Sequence, residues 1–187
     1  MPEAVVDTTP LNYLICIDAV DVLPTLYGSI WIPPAVNAEL CHPKAPERVR
    51  EWVRSLPEWL QIKEPAELPY QPQARLGLGE RQAISLALAS RSALLIIDDR
   101  DAVDFARQLG LATIGTLGVL DHAAARNLIN LPAMLQRLQE TTFRAPGRLV
   151  TLLLKQDADR KSINENRSDF LVRIGYSSLI ITLSVSA

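Results

Sequence analysis

Residues 93–99 read ALLIIDD, five apolar residues followed by two aspartates. A continuous apolar run of this length is typical of a strand that is buried on both faces of a parallel sheet. Residues 3–6 predict another short strand, which ends at Asp7. Because ligands bind in the crevice at the carboxyl ends of parallel strands, we expect Asp7 to share a site with Asp98 and Asp99.

Strand and helix signals alternate along the rest of the chain. This predicts an α/β fold of three layers, α/β/α, around a central parallel sheet of four to five strands. Further strands are predicted at residues 29–32, 59–63 and 112–114. The predicted helices cover residues 10–15, 20–26, 33–40, 46–54, 80–90, 102–109, 115–127, 132–139 and 148–156. The first of these begins with Thr9 as its N-cap and Pro10 at its first helical position, which leaves Asp7 without a capping role.

The composition is that of an ordinary globular protein. The 187 residues are 48 % hydrophobic and 21 % charged, and the formal net charge of −2 lacks the basic balance that predicts nucleic-acid binding. We expect one domain at residues 1–156, followed at 157–187 by a polar segment and an apolar tail of unknown role. The tail, residues 176–185, could be an added strand, a partner-binding arm or an artefact.

The cysteines and the hydropathy indicate a cytoplasmic protein. Cys16 and Cys41 lie in apolar stretches and are expected to be buried free thiols in a reducing compartment. The chain has no CxxC pair and only two histidines, which argues against zinc. No signal peptide is visible, and no apolar run reaches the ~20 residues that a membrane helix needs.

Two glutamates join the three aspartates as candidate site residues. Glu39 lies near the end of its predicted helix, where a negative charge opposes the helix dipole, although an exposed surface glutamate would look the same. Glu80 lies in a first helical turn, where a glutamate is favourable in any case. Helix capping alone explains part of the aspartate pattern, since one of Asp98 and Asp99 is expected to be an N-cap.

Several carboxylates gathered at one place favour a hard divalent cation. Crowded like charges raise one another's pKa, and Mg²⁺ or Mn²⁺ relieves the repulsion through oxygen ligands. Such an ion can activate water for attack on a phosphodiester, and a second ion can stabilise the leaving oxygen.

The order and spacing of five segments resemble the PIN-domain family, which includes the VapC-type toxins of bacterial and archaeal toxin–antitoxin pairs. The segments are VVDT at 5–8, VNAEL at 36–40, GERQAI at 79–84, LIIDDR at 95–100 and GTLG at 115–118. The last is similar to a segment of one subfamily. The resemblance covers residues 3–145 and implies a PIN-like nuclease fold.

By this resemblance, Asp7, Glu39, Glu80 and Asp99 would be the catalytic acids, and Asp7 and Asp99 the most direct metal ligands. Asp98 competes with Asp99 for the position at the strand end, and the sequence leaves both open. The family often has aspartate where this chain has Glu80, whose longer side chain could place its oxygens differently or act through water.

The resemblance also implies a substrate surface and partners. Thr8 and Thr116 match positions that commonly carry a hydroxyl beside the site, although Thr116 could simply cap its helix. Arg100 and Arg81 would hold the phosphate backbone. The implied reaction is Mg²⁺- or Mn²⁺-dependent hydrolysis of single-stranded or loop RNA. A VapC-type toxin would pair with a small antitoxin protein. Apart from the resemblance, apolar helix faces near residues 11–27 and 34–54 could form a homodimer, although core packing explains most of those residues.

The residues argue against two other classes of protein and leave a third open. A haloacid-dehalogenase-like phosphatase needs an aspartate two residues after the nucleophile, and Thr9 stands there. A phosphoacceptor receiver domain needs a lysine late in the chain at a strand end, and none is suitable. A catalytically silent PIN-like module that binds nucleic acid or protein stays open, although all the acids are present.

Overall fold

The computed structural model describes residues 3–65, 76–90 and 94–173. Their strands are β1 (Glu3–Val6), β2 (Ser29–Ile32), β3 (Leu60–Ile62), β4 (Leu94–Ile96) and β5 (Thr113–Ile114). Their helices are α1 (Thr8–Cys16), α2 (Val22–Tyr27), α3 (Pro34–Leu40), α4 (Glu47–Val53), α5 (Leu78–Ala89), α6 (Arg100–Gln108), α7 (Thr116–Ala125), α8 (Leu131–Gln139) and α9 (Gly147–Arg173).

The strands form one sheet of five, all parallel, in the order β3-β2-β1-β4-β5. The chain builds the sheet outward from β1 in one direction through β2 and β3, and in the other direction through β4 and β5. The order therefore reverses between β1 and β4, and a crevice opens at such a reversal, outside the carboxyl ends of the strands. The predicted α/β class, with helices flanking a parallel sheet, is confirmed.

The central strands are apolar because both faces of the sheet are covered by helices. Ala4, Val5 and Val6 of β1 are fully buried, as are Leu95 and Ile96 of β4. A strand with two buried faces cannot alternate polar and apolar residues, and this explains the continuous apolar run that identified β4 in the sequence.

Glycines end two of the predicted helices. Gly28 follows α2 with φ +73°, and Gly110 lies just beyond α6 with φ +81°. Backbone in this left-handed region is adopted by glycine at little cost and rarely by other residues. The helix ends predicted at these two glycines are therefore confirmed.

The chain divides into two compact units, residues 1–145 and 146–187. In the second unit, the helix predicted over 148–156 continues as α9 to Arg173. No proline or glycine interrupts the sequence between Arg148 and Arg173, and its Lys, Gln, Glu, Arg and Ala residues are good helix formers. Asp157 also binds Lys161 one turn on, at 2.7 Å. The predicted boundary between residues 156 and 157 stays a prediction.

The two cysteines are less buried than the sequence predicts. The prediction that both cysteines are buried is wrong for Cys41, which is exposed, and Cys16 is half-buried. Cys41 follows the last residue of α3, at a turn where the apolar pattern no longer marks burial. Within the part of the chain that the structure describes, no helix is long and apolar enough to cross a membrane. The tail at 176–185 lies outside the described residues.

Candidate metal centre at the carboxyl edge of the sheet

Asp7 and the aspartate pair stand at the same edge of the sheet. Val6 is paired with Ile96, and the backbone N–H of Asp7 donates to the carbonyl of Ile96 at 2.9 Å. Asp98 is therefore two residues after Ile96, whose carbonyl binds the backbone of Asp7. The crevice at the reversal of strand order thus opens beside acids that are about ninety positions apart in the chain.

Asp7 is buried and lies among like charges. Its side chain is 3 % exposed, and Oδ2 accepts a hydrogen bond from the backbone N–H of Thr9 at 3.4 Å. Burial raises the pKa of Asp7 to about 7; the charges of Glu80 and Glu39 raise it as well, and the amides of Thr8 and Thr9 lower it. The expectation that Thr9 is the N-cap is wrong, because Asp7 itself caps α1.

The neighbouring aspartates, Asp98 and Asp99, turn to different helices. Asp99 is exposed and caps α6, with Oδ1 accepting from the N–H of Ala102 at 3.0 Å. Its charge raises the pKa of Glu80, which shows that it lies near the other acids. Asp98 instead accepts from the N–H of Thr116 at 2.8 Å and from its hydroxyl at 2.5 Å. One of the pair, Asp99, is therefore an N-cap, as expected, and Asp98 binds the first residue of α7 from the end of β4.

The pairing of Asp98 with α7 explains the glycine that precedes this helix. A Cβ atom at Gly115 would lie 2.6 Å from Oδ1 of Asp98, closer than real contacts allow. Gly115 has no side chain with which to cap α7, and the carboxylate of Asp98 takes that role from the end of β4. Thr116 is fully buried with its hydroxyl donated to Asp98, so it lies inside the protein rather than at an open position beside a substrate.

Glu39 reaches the site from the end of α3. Its Oε2 accepts a hydrogen bond from the hydroxyl of Thr8, the first residue of α1. A Cβ at Gly79 would lie 2.9 Å from Oε1 of Glu39, so the carboxylate rests against the backbone at the start of α5. The side chain of Gln82 secures this arrangement, because it accepts from the N–H of Ala35 at 2.9 Å and ties α5 to the start of α3.

Glu80 turns back on its own helix. Its Oε2 accepts from the N–H of Gly77 at 2.7 Å, half of a capping box at the start of α5. Burial raises the pKa of Glu80; the charges of Asp99, Glu39 and Asp101 raise it as well, and the Gly77 amide lowers it. The charge of Glu80 also raises the pKa of Asp7, so Glu80 interacts with acids of both strand ends.

The two predicted arginines lie at the helix starts that carry these acids. Arg81 follows Glu80 in α5, and Arg100 follows Asp99 as the first residue of α6. Both side chains are exposed, and neither forms an ion pair with an acid of the described residues. They are available at the rim of the crevice, but the structure does not bring them to the carboxylates.

The donor set suits a hard divalent cation in its chemistry. Asp7, Glu39, Glu80 and Asp99 offer only carboxylate oxygens, the ligands that Mg²⁺ and Mn²⁺ prefer. Among residues 3–65, 76–90 and 94–173, however, no three acids, histidines or cysteines are close enough together to hold an ion as they stand. Each of the four carboxylates accepts a hydrogen bond from the protein. The acids are gathered at one edge without converging on a point.

The contacts that position the acids and their helices join residues far apart in the chain, and the sequence did not predict them. The bond from Thr116 to Asp98 spans eighteen residues, and that from Ala35 to Gln82 spans 47. Contacts of such range leave no local pattern. The capping role of Asp7 had a local signal, an aspartate directly before a helix, but the Thr9-Pro10 pair predicted a different start.

Comparison with known families gives one clear result. A family model described as a PIN domain matches residues 3–159, most of the chain, and the chain therefore belongs to the PIN-domain family. PIN domains are generally nucleases, and they typically use divalent metal ions. Searches of curated proteins and of solved structures gave no match. The predicted kinship with VapC-type toxins that share the GTLG segment stays a prediction.

Proposed function

We propose that the chain is a divalent-metal-dependent endoribonuclease that hydrolyses single-stranded or loop RNA. The observation that carries the proposal is the state of Asp7, which is buried at the reversal of strand order with a pKa raised to about 7. No cationic side chain of the described residues pairs with it. A buried acid among like charges is costly to the fold, and such groups cluster at functional sites.

The four acids divide the task of holding the ion. Asp7 and Asp99, each held by its capping bond, are the most direct ligands, and the charge of Glu80 acts on the pKa of Asp7. Thr8 orients the carboxylate of Glu39. A bound Mg²⁺ or Mn²⁺ would supply positive charge that acidifies water and stabilises charge developing on the phosphodiester. Asp98 supports the start of α7 and is not included among the ligands.

An unpaired RNA strand suits this site better than a duplex. The acids lie in a crevice at the sheet edge, and unstacked strands can enter a narrow acidic site that a duplex cannot. Arg81 and Arg100 are exposed beside Glu80 and Asp99, where they would contact the phosphates on either side of the cut. Arginine suits this contact because its guanidinium group binds phosphate with two hydrogen bonds.

The test is cleavage of a labelled single-stranded RNA by the purified protein. We expect cleavage with Mg²⁺ or Mn²⁺, none with EDTA, and a loss of more than about a hundredfold in Asp7→Asn, since even residues that only support metal ligands cost 10–100-fold. Asp104→Asn, at an exposed position of α6, is the matched control and should keep wild-type activity. Activity that survives EDTA or Asp7→Asn would refute the proposal.

A catalytically silent binding module is the second candidate. The observation in its favour is that each acid is engaged by the protein's own hydrogen bonds and that the described residues form no ready metal cluster. RNA binding that is independent of metal, with no cleavage under any divalent ion, would favour the module over the nuclease.

We further propose that the chain is the cytoplasmic toxin of a toxin–antitoxin pair, with a small antitoxin protein as partner. The support is the resemblance to VapC-type toxins over residues 3–145. Co-expression with the product of a short adjoining reading frame, followed by co-purification and loss of RNA cleavage, tests the pairing. Light scattering of the purified chain measures whether it forms a homodimer.

A further inference from the structure

A cleft of about 500 Å³ adjoins the acidic group on the side of α1 and α3. Thr8 and Glu39 are among its lining residues, so a molecule in the cleft would contact side chains that belong to the candidate metal centre. Asn12 lies one turn after Thr8 on the same face of α1 and also lines the cleft. Nothing in the proposed metal chemistry accounts for this space.

The walls of the cleft are mostly apolar and small. Ala35 and Ala38 of α3 and Pro46 and Val49 at the start of α4 contribute to them, and Leu78, 55 % exposed, contributes from the start of α5. The polar and charged residues of the lining are Thr8, Asn12, Glu39, His42 and Lys44, so the cleft offers apolar contact together with a few hydrogen-bonding groups. A flat ring or a sugar could lie against such a surface.

The lining of the cleft also includes a cation. Lys44 is exposed and has no ion pair with any acid of the described residues. Three hydrogen bonds fix the turn that carries it. The N–H of His42 donates to the carbonyl of Glu39 at 3.1 Å, and the N–H of Ala45 donates to the carbonyl of His42 at 2.8 Å. The N–H of Lys44 donates to Nδ1 of the His42 side chain at 3.1 Å. Because Nδ1 is an acceptor in that bond, the neutral His42 ring carries its proton on Nε2 and can donate.

We propose that this cleft is a nucleotide subsite, which binds the nucleotide next to the phosphodiester at the metal centre. The inference rests on the proposed nuclease function. The sugar and base lie against the apolar walls, where Asn12 offers an amide for hydrogen bonding, and the next phosphate lies at Lys44 with His42 beside it. Charge decides the occupant: the lining carries one acid of the candidate metal centre, Glu39, and a cation, Lys44, and a strand that brings one phosphate to the metal and another to Lys44 matches both.

The test uses two variants, each with a matched control outside the cleft. Lys44→Gln removes the terminal charge, and Lys155→Gln does the same at an exposed position of α9. Ala38→Phe fills the cleft from an exposed helical position, and Ala125→Phe places the same ring at the exposed end of α7. Thermal unfolding of all four variants verifies that they are folded.

Two measurements follow. Anisotropy of a short labelled single-stranded RNA of mixed sequence, taken in EDTA, should show binding about threefold to tenfold weaker in Lys44→Gln, with a salt slope lower by about one. Steady-state cleavage with Mn²⁺ should show KM raised about tenfold in Ala38→Phe with kcat nearly unchanged, as expected when uniform binding is lost.

The outcomes separate the subsite from the nuclease itself. Wild-type protein that cleaves RNA, with both cleft variants equal to their controls, overturns the subsite and assigns the cleft to another occupant, such as an apolar side chain of a protein partner. Wild-type protein that does not cleave RNA with any divalent ion, while Lys44→Gln still weakens binding, overturns the nuclease and keeps the cleft as a nucleotide site.

Discussion

Asp7 and Asp157 are both 3 % exposed, yet their surroundings are opposite. Asp157, in α9, accepts from Lys161 at 2.7 Å and lies 3.6 Å from Arg160, so its charge is balanced within one turn of its own helix. Asp7, at the end of β1, has Glu80 and Glu39 as its charged neighbours. One buried acid is neutralised by the helix that carries it, and the other is surrounded by more acids.

The difference shows how to separate a structural acid from a functional one. Burial of a carboxylate costs free energy in either case, and a nearby cation offsets that cost. A fold that places a second and a third acid beside a buried one raises the cost instead of lowering it. The arrangement around Asp7 is therefore unfavourable for the apoprotein alone, and a bound cation would remove the disadvantage.

The largest expected effect is on stability, with opposite signs at the two sites. In EDTA at neutral pH, Asp7→Asn should raise the free energy of unfolding by a few kcal/mol, because the amide keeps the cap of α1 and carries no charge beside Glu80. Asp157→Asn should lower it by about 1–3 kcal/mol, because the bonds of Lys161 and Arg160 to a buried carboxylate are weakened. Chemical denaturation followed by circular dichroism measures both. A destabilised Asp7→Asn would break the comparison.

The pH dependence of stability sharpens the same contrast. The pKa of Asp7 rises from 3.8 to about 7 on folding. Between these values the native state therefore holds one proton more at Asp7 than the unfolded state. The contribution of Asp7 to the free energy of unfolding is greatest below pH 4, falls as the pH rises to about 7, and is constant above. The slope for one such group is at most about 1.4 kcal/mol per pH unit.

This slope is measured as the difference between wild-type protein and Asp7→Asn, both in EDTA, over pH 4–8. The subtraction removes the other titrating groups, and Asp157→Asn gives the background for an aspartate paired with cations. A difference that stays flat across this range would mean that Asp7 ionises normally and that its neighbours do not crowd it.

The smallest effect concerns the cap. Asp7→Ala removes the repulsion just as Asp7→Asn does, but it also leaves the N–H of Thr9 without its acceptor. We expect the alanine variant to be less stable than the asparagine variant by about 1 kcal/mol, the usual value of an N-cap. Equal stabilities would show that the 3.4 Å bond contributes little and that Asp7 is placed by the sheet alone.

Much of this arrangement could be predicted from the sequence. The apolar run before Asp98 and the short strand before Asp7 predicted two parallel strands whose ends meet, and strand register then brings Asp7 within two residues of Asp98. The helical spacing of apolar residues predicted the helices, and the glycines at 28 and 110 follow the ends of two of them. These signals are local, and they determine which residues form strands, helices and turns.

The rest depends on contacts that no local pattern carries. The sequence left Asp98 and Asp99 as equal candidates, because the residue that distinguishes them, Thr116, is eighteen positions away. The direction of Glu39 depends on its close approach to Gly79 from another helix. The extension of α9 was missed because its polar residues have no apolar periodicity, although their helix propensity sufficed.

The hydrogen bonds of the three aspartates leave different numbers of oxygen atoms unused. Asp7 caps its helix through Oδ2 and Asp99 through Oδ1, so each keeps a second oxygen, while Asp98 commits both oxygens to Thr116. For Asp7 and Asp99, the bond that starts a helix also fixes the direction of the unused oxygen before any ion arrives. These two carboxylates therefore lose part of their conformational entropy when the protein folds, and not when an ion binds. At each strand end, the same bond starts a helix and orients a metal ligand.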